Sequence, residues 1–209
     1  MINILYDCDL FIVCEKPSGL ISELDTSKSD SLPAKLSEQL GNASLFTVHR
    51  LDKEVGGIIV YAKSAEIAAK LSAQITNGKF KKEYTAVATG KVEPDSEMLV
   101  DLLFHDRSKN KTYVVKKKRQ GVKEARLEYS TIDYNTEENI STLNIKLFTG
   151  RTHQIRVQLA SRGYPIVGDR KYGSSQNIKP MRLYASALSF EHPITKKPLT
   201  FSIIPTWQR

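Results

Sequence analysis

The run His49-Arg50-Leu51-Asp52 sets a short carboxylate between Arg50 and Lys53, and Gly56-Gly57 with the apolar Ile58-Ile59-Val60-Tyr61-Ala62 follow it closely. Two glycines allow close backbone approach, and the apolar run has the make-up of a buried strand. Such an arrangement mounts a reactive aspartate; the same residues also suit an ordinary loop before a glycine turn. What shifts the reading towards chemistry is a second cluster about a hundred positions on. Gly150-Arg151-Thr152-His153-Gln154-Ile155-Arg156 gathers further basic groups at a helix start.

The elements that would carry these residues follow from periodicity and capping. Leu10 to Cys14 has strand composition, and Glu15-Lys16-Pro17-Ser18-Gly19 stops it. Ser22 to Ser31 is polar and is expected to form a mobile surface loop. Ser31 and Pro33 open a short helix ending near Gly41, since proline fits only the first turn. Ser64 is an N-cap, Ile67, Leu71 and Ile75 recur every four residues, and Asn77-Gly78 ends that helix.

Lys82 to Thr89 alternates, with Tyr84, Ala86 and Ala88 on one face. Lys111 to Lys116, Glu124 to Ile132 and Thr142 to Phe148 also favour strands, giving an antiparallel meander. Thr152 to Arg162 is expected to be a helix stopped by Gly163. A loop through Gly168 and Gly173 leads to closing strands at Leu183 to Phe190 and Leu199 to Ile203. The expected class is α+β, a mixed and mostly antiparallel sheet flanked by helices and loops. No repeat, linker or low-complexity block divides 1–209, so a single catalytic domain is expected.

With 209 residues, 40% hydrophobic and 26% charged, the chain has the make-up of a soluble globular protein. It lacks an apolar run of the roughly 18 residues that a membrane span needs, and its N-terminus lacks a signal-peptide layout, so a cytoplasmic protein with no membrane partner is expected. Cys8 and Cys14 are expected to be small buried side chains, and four scattered histidines give no structural zinc pattern. The charge of +8 is concentrated: Lys79, Lys81 and Lys82 form one cluster, Lys109 to Lys123 another, and Arg151 to Lys171 a third. A polyanion is a better partner for these clusters than a neutral metabolite.

Taken together, the motifs resemble the RluA-type pseudouridine synthases over nearly the whole chain. Lys16-Pro17-Ser18-Gly19-Leu20 is similar to that family's opening motif, His49-Arg50-Leu51-Asp52 to its catalytic motif, and Lys82-Glu83-Tyr84-Thr85-Ala86 to its tyrosine strand. Gly150 to Arg156 is similar to its second-arginine motif, and Pro165-Ile166-Val167-Gly168-Asp169 with Tyr172-Gly173 to the loop that follows.

The resemblance implies a pseudouridine synthase fold with a central active-site cleft. It implies isomerisation of uridine in ribosomal or transfer RNA by a monomer, without cofactor or metal. Asp52 would be the nucleophile, with Arg151 favouring its charged form. Tyr84 would stack on the base, its hydroxyl near the proton leaving carbon 5. Arg50 would hold the RNA backbone while the uridine is extruded. Leu51, His153, Gln154 and Ile155 are the further substrate-binding candidates. His153 and Gln154 either orient Arg151 or the pocket, or merely satisfy backbone groups; His49 is structural.

The chain departs from the pattern in four places. Val55-Gly56-Gly57 stands where Thr-Ser-Gly is usual, Tyr184 where a histidine is usual, Lys196-Lys197 in place of a Thr-Gly-like turn, and Ile21-Ser22-Glu23 in place of His-Pro. The opening strand lies almost at Met1, so no accessory N-terminal RNA-binding domain is expected. Recognition would then rest on insertions such as Ser22 to Ser31 and the basic stretch around Lys116. Two other classes fit the sequence less well. A silent RNA-binding module would not need Asp52, Tyr84 and Arg151 together, and a metal hydrolase using His49, Asp52, His105 and Asp106 lacks ligand-like spacing.

Overall fold

The computed structural model describes residues 1–23 and 31–208. Most of the loop expected from Ser22 to Ser31 therefore lies outside the described residues. The chain forms two compact units, one of Met1–Lys82 with Tyr184–Arg209, the other of Glu83–Leu183.

In the first unit β1 (Ile4–Asp7) pairs antiparallel with β2 (Phe11–Lys16), and β2 with β4 (Gly56–Ala62). The two-residue β3 (Phe46–Thr47) also pairs with β4. Strand β10 (Leu183–Glu191) runs parallel to β4 and pairs antiparallel with β11 (Pro198–Ser202). All of β2 and β4 is buried, which explains why Phe11 to Cys14 and Ile58 to Ala62 read as continuous apolar runs rather than alternations.

Helix α1 (Leu32–Gln39) has Ser31 as N-cap and Pro33 in its first turn. In α2 (Ala65–Thr76) the Ser64 hydroxyl accepts the Ile67 N–H at 3.3 Å, and Ile67 and Leu71 are buried. They join Phe11, Val13, Ile58, Val60, Phe80, Leu188 and Phe190 in the core of this unit.

The second unit is built on strands in the order β5 (Lys81–Thr89), β9 (Ile140–Leu147), β8 (Val122–Asn135), β6 (Ser96–Asp106), β7 (Lys111–Val115). The β9-β8-β6-β7 ladder is antiparallel throughout. Helix α3 (Gln154–Ala160) packs on β6 and β7, and Val157 joins Leu103, Ala125 and Tyr172 in a core cluster.

Three expectations need correction. The first strand does not stop at Cys14: β2 runs on through Glu15 and Lys16, both paired with β4. The helix expected over Thr152 to Arg162 begins only at Gln154 because His153 adopts φ 53°, a left-handed conformation that cannot continue a helix. Cys8 is half-buried rather than buried, while Cys14 is buried, which pushes its thiol pKa up to about 12.

Candidate active site

Asp52 lies on the loop between β3 and β4, in the first unit. It is half-buried, and its carbonyl accepts the Val55 N–H at 3.0 Å in a tight turn. The segment around it is pinned to residues 16–22. Lys16 ends β2 fully buried, and its Nζ donates to the carbonyls of Pro17 at 3.0 Å, Leu20 at 2.7 Å and Lys53 at 3.0 Å. Those acceptors use all three ammonium protons. Burial pushes the Lys16 pKa down to about 8, opposed first by the Glu54 and then by the Asp52 carboxylate.

Further bonds complete the brace. Gly19 N–H donates to the Lys53 carbonyl at 2.8 Å, and the Ser18 hydroxyl to the Glu54 carbonyl at 2.7 Å. The buried Ser22 hydroxyl donates to the Leu51 carbonyl at 2.8 Å and accepts the Leu51 N–H at 3.1 Å. Ser22 is itself held through its carbonyl by the Tyr61 hydroxyl at 2.8 Å.

On the far side of the loop, Gly57 has φ +121°, and a Cβ there would lie 2.3 Å from the Ala185 carbonyl oxygen. No side chain fits where β4 and β10 run side by side at this register. The Leu51 side chain is buried. Arg50 is exposed, its Nη1 3.3 Å from Glu23 Oε2, and a surface pair of this kind is weak enough to give way to a phosphate. The His49 Nε2 accepts the Val60 N–H at 3.3 Å, and its ring meets Phe80 edge-on. Burial, assisted by the Lys82 charge, pushes the His49 pKa down to about 3, so the ring is neutral and structural.

Tyr84 and Arg151 belong to the second unit. Tyr84 lies buried in β5. Arg151 sits where β9 has ended and the chain runs along the edge of β8. Its Nε donates to the Glu124 carbonyl at 2.9 Å. Gln154 holds this segment in place: its Oε1 accepts the Arg151 N–H at 3.0 Å and the Thr149 hydroxyl at 2.8 Å, and its Nε2 donates to the Arg126 carbonyl at 3.0 Å. Of the roles left open for Gln154, it both satisfies backbone groups and orients Arg151.

His153 is buried with Nδ1 2.9 Å from the Tyr172 hydroxyl. That hydroxyl accepts the Thr112 N–H at 2.8 Å, leaving its own proton to give to the imidazole. Ile155 is buried. Arg156 makes a buried two-pronged pair with Asp169, at 2.6 and 2.8 Å, so the second arginine of the motif fixes the loop after α3.

The structure thus gathers Arg50, Leu51 and Asp52 on one braced loop, and Arg151 and Gln154 at the edge of β8, with His153 and Ile155 beside them at the start of α3. Lys16, Ser22 and Tyr61 brace the loop, a role that the sequence alone does not show. A lysine two residues past the apolar run Phe11 to Cys14 is the available signal for Lys16; nothing local marks the other two. Of the alternative metal ligands, Asp106 accepts from the Ser108 N–H and hydroxyl and the Lys109 N–H, closing a turn. Among the described residues no group of three or more His, Cys, Asp or Glu is placed to hold a metal. Nor is any described helix long and apolar enough to cross a membrane.

The sequence model of the RNA pseudouridylate synthase family matches residues 10–161. The chain belongs to this family and is an RNA pseudouridine synthase, an isomerase acting on RNA. The dual-specificity RNA pseudouridine synthase RluA of Escherichia coli is 34% identical over 208 residues, covering 95% of this chain and 90% of that protein. The tRNA pseudouridine synthase C of Vibrio parahaemolyticus is 30% identical over 229 residues, covering 100% and 93%. Within the family the chain is of the RluA type. Its fold is that of human RNA pseudouridylate synthase domain containing 1, with a TM-score of 0.81 at 20% identity over 98% of this chain and 84% of that one.

Proposed function

We propose that the chain converts uridine to pseudouridine in ribosomal or transfer RNA, with Asp52 as nucleophile and residues 1–209 working as one catalytic domain. The observation that carries this reading is the brace on the Asp52 segment. A buried ammonium and two serine hydroxyls hold the backbone on both sides of one carboxylate, the rigidity that a positioned nucleophile needs. The name of one relative, a tRNA pseudouridine synthase, supports transfer RNA as a substrate class.

The reaction is balanced without an outside partner. The Asp52 carboxylate adds to the nucleoside, and the bond from nitrogen 1 to the ribose breaks. The uracil turns, carbon 5 bonds to the ribose, carbon 5 gives up its proton and nitrogen 1 takes one, and the carboxylate leaves. No electrons enter or leave, so no redox cofactor is required; we take the chain to be a cytoplasmic monomer that works without a metal. Tyr84 stacks on the base and serves the carbon 5 proton, while Arg151, fixed through Gln154, favours the ionised carboxylate. Arg50 takes a backbone phosphate as the uridine is extruded.

A pseudouridine map of total RNA from cells lacking the protein, rescued by the native chain or by Asp52→Ala, tests this. A site lost in the deletion and restored only by the native chain supports the reading and names the substrate. Equal rescue by Asp52→Ala overturns the nucleophile.

A further inference from the structure

Helix α3 covers only one face of the β8-β6-β7 sheet. Leu99 and Leu103 of β6 are buried with Ala125 and Leu127 of β8. Because side chains alternate across a strand, the even residues of β6 face the other way. There the register lines up Val100 with Arg126, and the next step along the edge is Phe148. Tyr113, Phe104 and Val122 form a second row, and Met98, Glu128 and Lys146 a third. Met98, Val100, Tyr113 and Phe148 are all exposed, Val100 at 52% and Phe148 at 53%. The Arg119 guanidinium lies over the Phe104 ring, 4.6 Å from its centroid.

The charge on this region is one-sided. Residues 107 to 126 hold nine Lys and Arg against a single acid, Glu124, a net of +8 that equals the net charge of the whole chain. The rest of the protein is therefore neutral in sum. Of the carboxylates on the open face, Glu124 lies near Arg126 and Glu128 near Lys146, both at 3.7 Å, and Asp106 at the end of β6 accepts from Ser108 and the Lys109 N–H.

From this geometry we infer that the open face of β8-β6-β7, with its Lys116-Lys117-Lys118-Arg119 turn, binds single-stranded RNA flanking the target uridine. Open aromatic rings on a sheet stack unpaired bases, while cations at its rim track the phosphates. A duplex hides its base faces and could use only the cations. Protection of an edge strand accounts for Lys111 on β7 but not for Phe104, which pairs with Val122 of β8 on one side and Tyr113 of β7 on the other. A second copy of this chain would bring +8 against +8. The face also leads to the site: Arg126 lies on it, and the Arg126 carbonyl accepts from Gln154, which positions Arg151. The inference rests on the RNA-modifying reading above and adds to it the part of the RNA that is held.

The full chain, titrated against a fluorescent 12-nucleotide single-stranded RNA and a 12-base-pair RNA duplex, tests it. The double variant Tyr113→Ala with Phe148→Ala, both exposed positions, should weaken single-strand binding about tenfold or more and duplex binding much less. Replacing Lys116, Lys117, Lys118 and Arg119 with alanine should make the slope of log affinity against log salt shallower by about 3. In turnover on a substrate RNA, both variants should raise KM more than they lower kcat.

Native affinity and native salt slope in both variants overturn the inference, and so does equal loss on strand and duplex in the ring variant. So would sedimentation showing a dimer that the ring substitutions dissolve. If the variants bind RNA normally while the native chain forms pseudouridine, this surface is wrong and the enzyme reading stands. If the native chain forms no pseudouridine in any RNA yet the variants lose single-strand affinity, the enzyme reading fails and the surface stands.

Discussion

The ring of Tyr184 lies against Gly56, so that a Cβ at position 56 would sit 2.9 Å from Tyr184 Cε2. The two positions are register partners in β10 and β4. The ring cannot easily retreat. Its hydroxyl donates to the buried Glu15 carboxylate, which also accepts from Asn3 Nδ2 at 2.9 Å, and Trp207 meets it edge-on. Gly56 and Tyr184, two positions at which the sequence resemblance departs from the family motifs, are thus packed against each other beside the Asp52 loop.

Gly56→Ser alone should therefore destabilise the protein by about 1–3 kcal/mol through overpacking. Combined with Tyr184→His it should cost less than the two single changes added together. Urea denaturation of the four proteins measures the coupling, and simple additivity would break the link.

Lys16→Met keeps the length of the side chain but removes three donors from carbonyls on both sides of the brace. The expected result is a fall in kcat of about a hundredfold, with KM changed far less, because the loss is in placement of Asp52. Native activity should also decline as pH rises through about 8, where the amine has two protons left for three acceptors. The check is a pH–rate profile of native enzyme beside the variant, which should lack that decline.

His49 gives a stability prediction of definite sign. Its folded pKa, about 3, lies below the ordinary 6.5, so between these values the unfolded chain binds a proton that the folded chain does not. Stability from this residue is complete above pH 6.5 and falls as pH drops, by at most about 1.4 kcal/mol per unit. The difference in urea midpoint between pH 7 and pH 5 should be smaller in His49→Gln than in the native protein.

Legibility in the sequence followed the range of the forces involved. The α2 helix could be read because its cap and its four-residue spacing are local. Strand β6 was missed because Met98, Val100, Leu102 and Phe104 make its open face nearly as apolar as its buried one, erasing the alternation that marks a strand. The start of α3 shifted because nothing local marks the left-handed backbone of His153. Asp52, Tyr84 and Arg151 stood out as motif residues. The brace did not, since Lys16 reaches Lys53 and Tyr61 reaches Ser22 across 37 and 39 positions, and no periodicity records such contacts.

Carbon 5 must lose its hydrogen each time a uridine is isomerised, so RNA made with uridine tritiated at carbon 5 reports the reaction directly. Purified native chain should release one tritium to water for each pseudouridine formed, and Asp52→Asn, folded as judged by its denaturation midpoint, should release it at least about 10⁴-fold more slowly. Release by Asp52→Asn at the native rate would contradict the assignment of Asp52 as nucleophile.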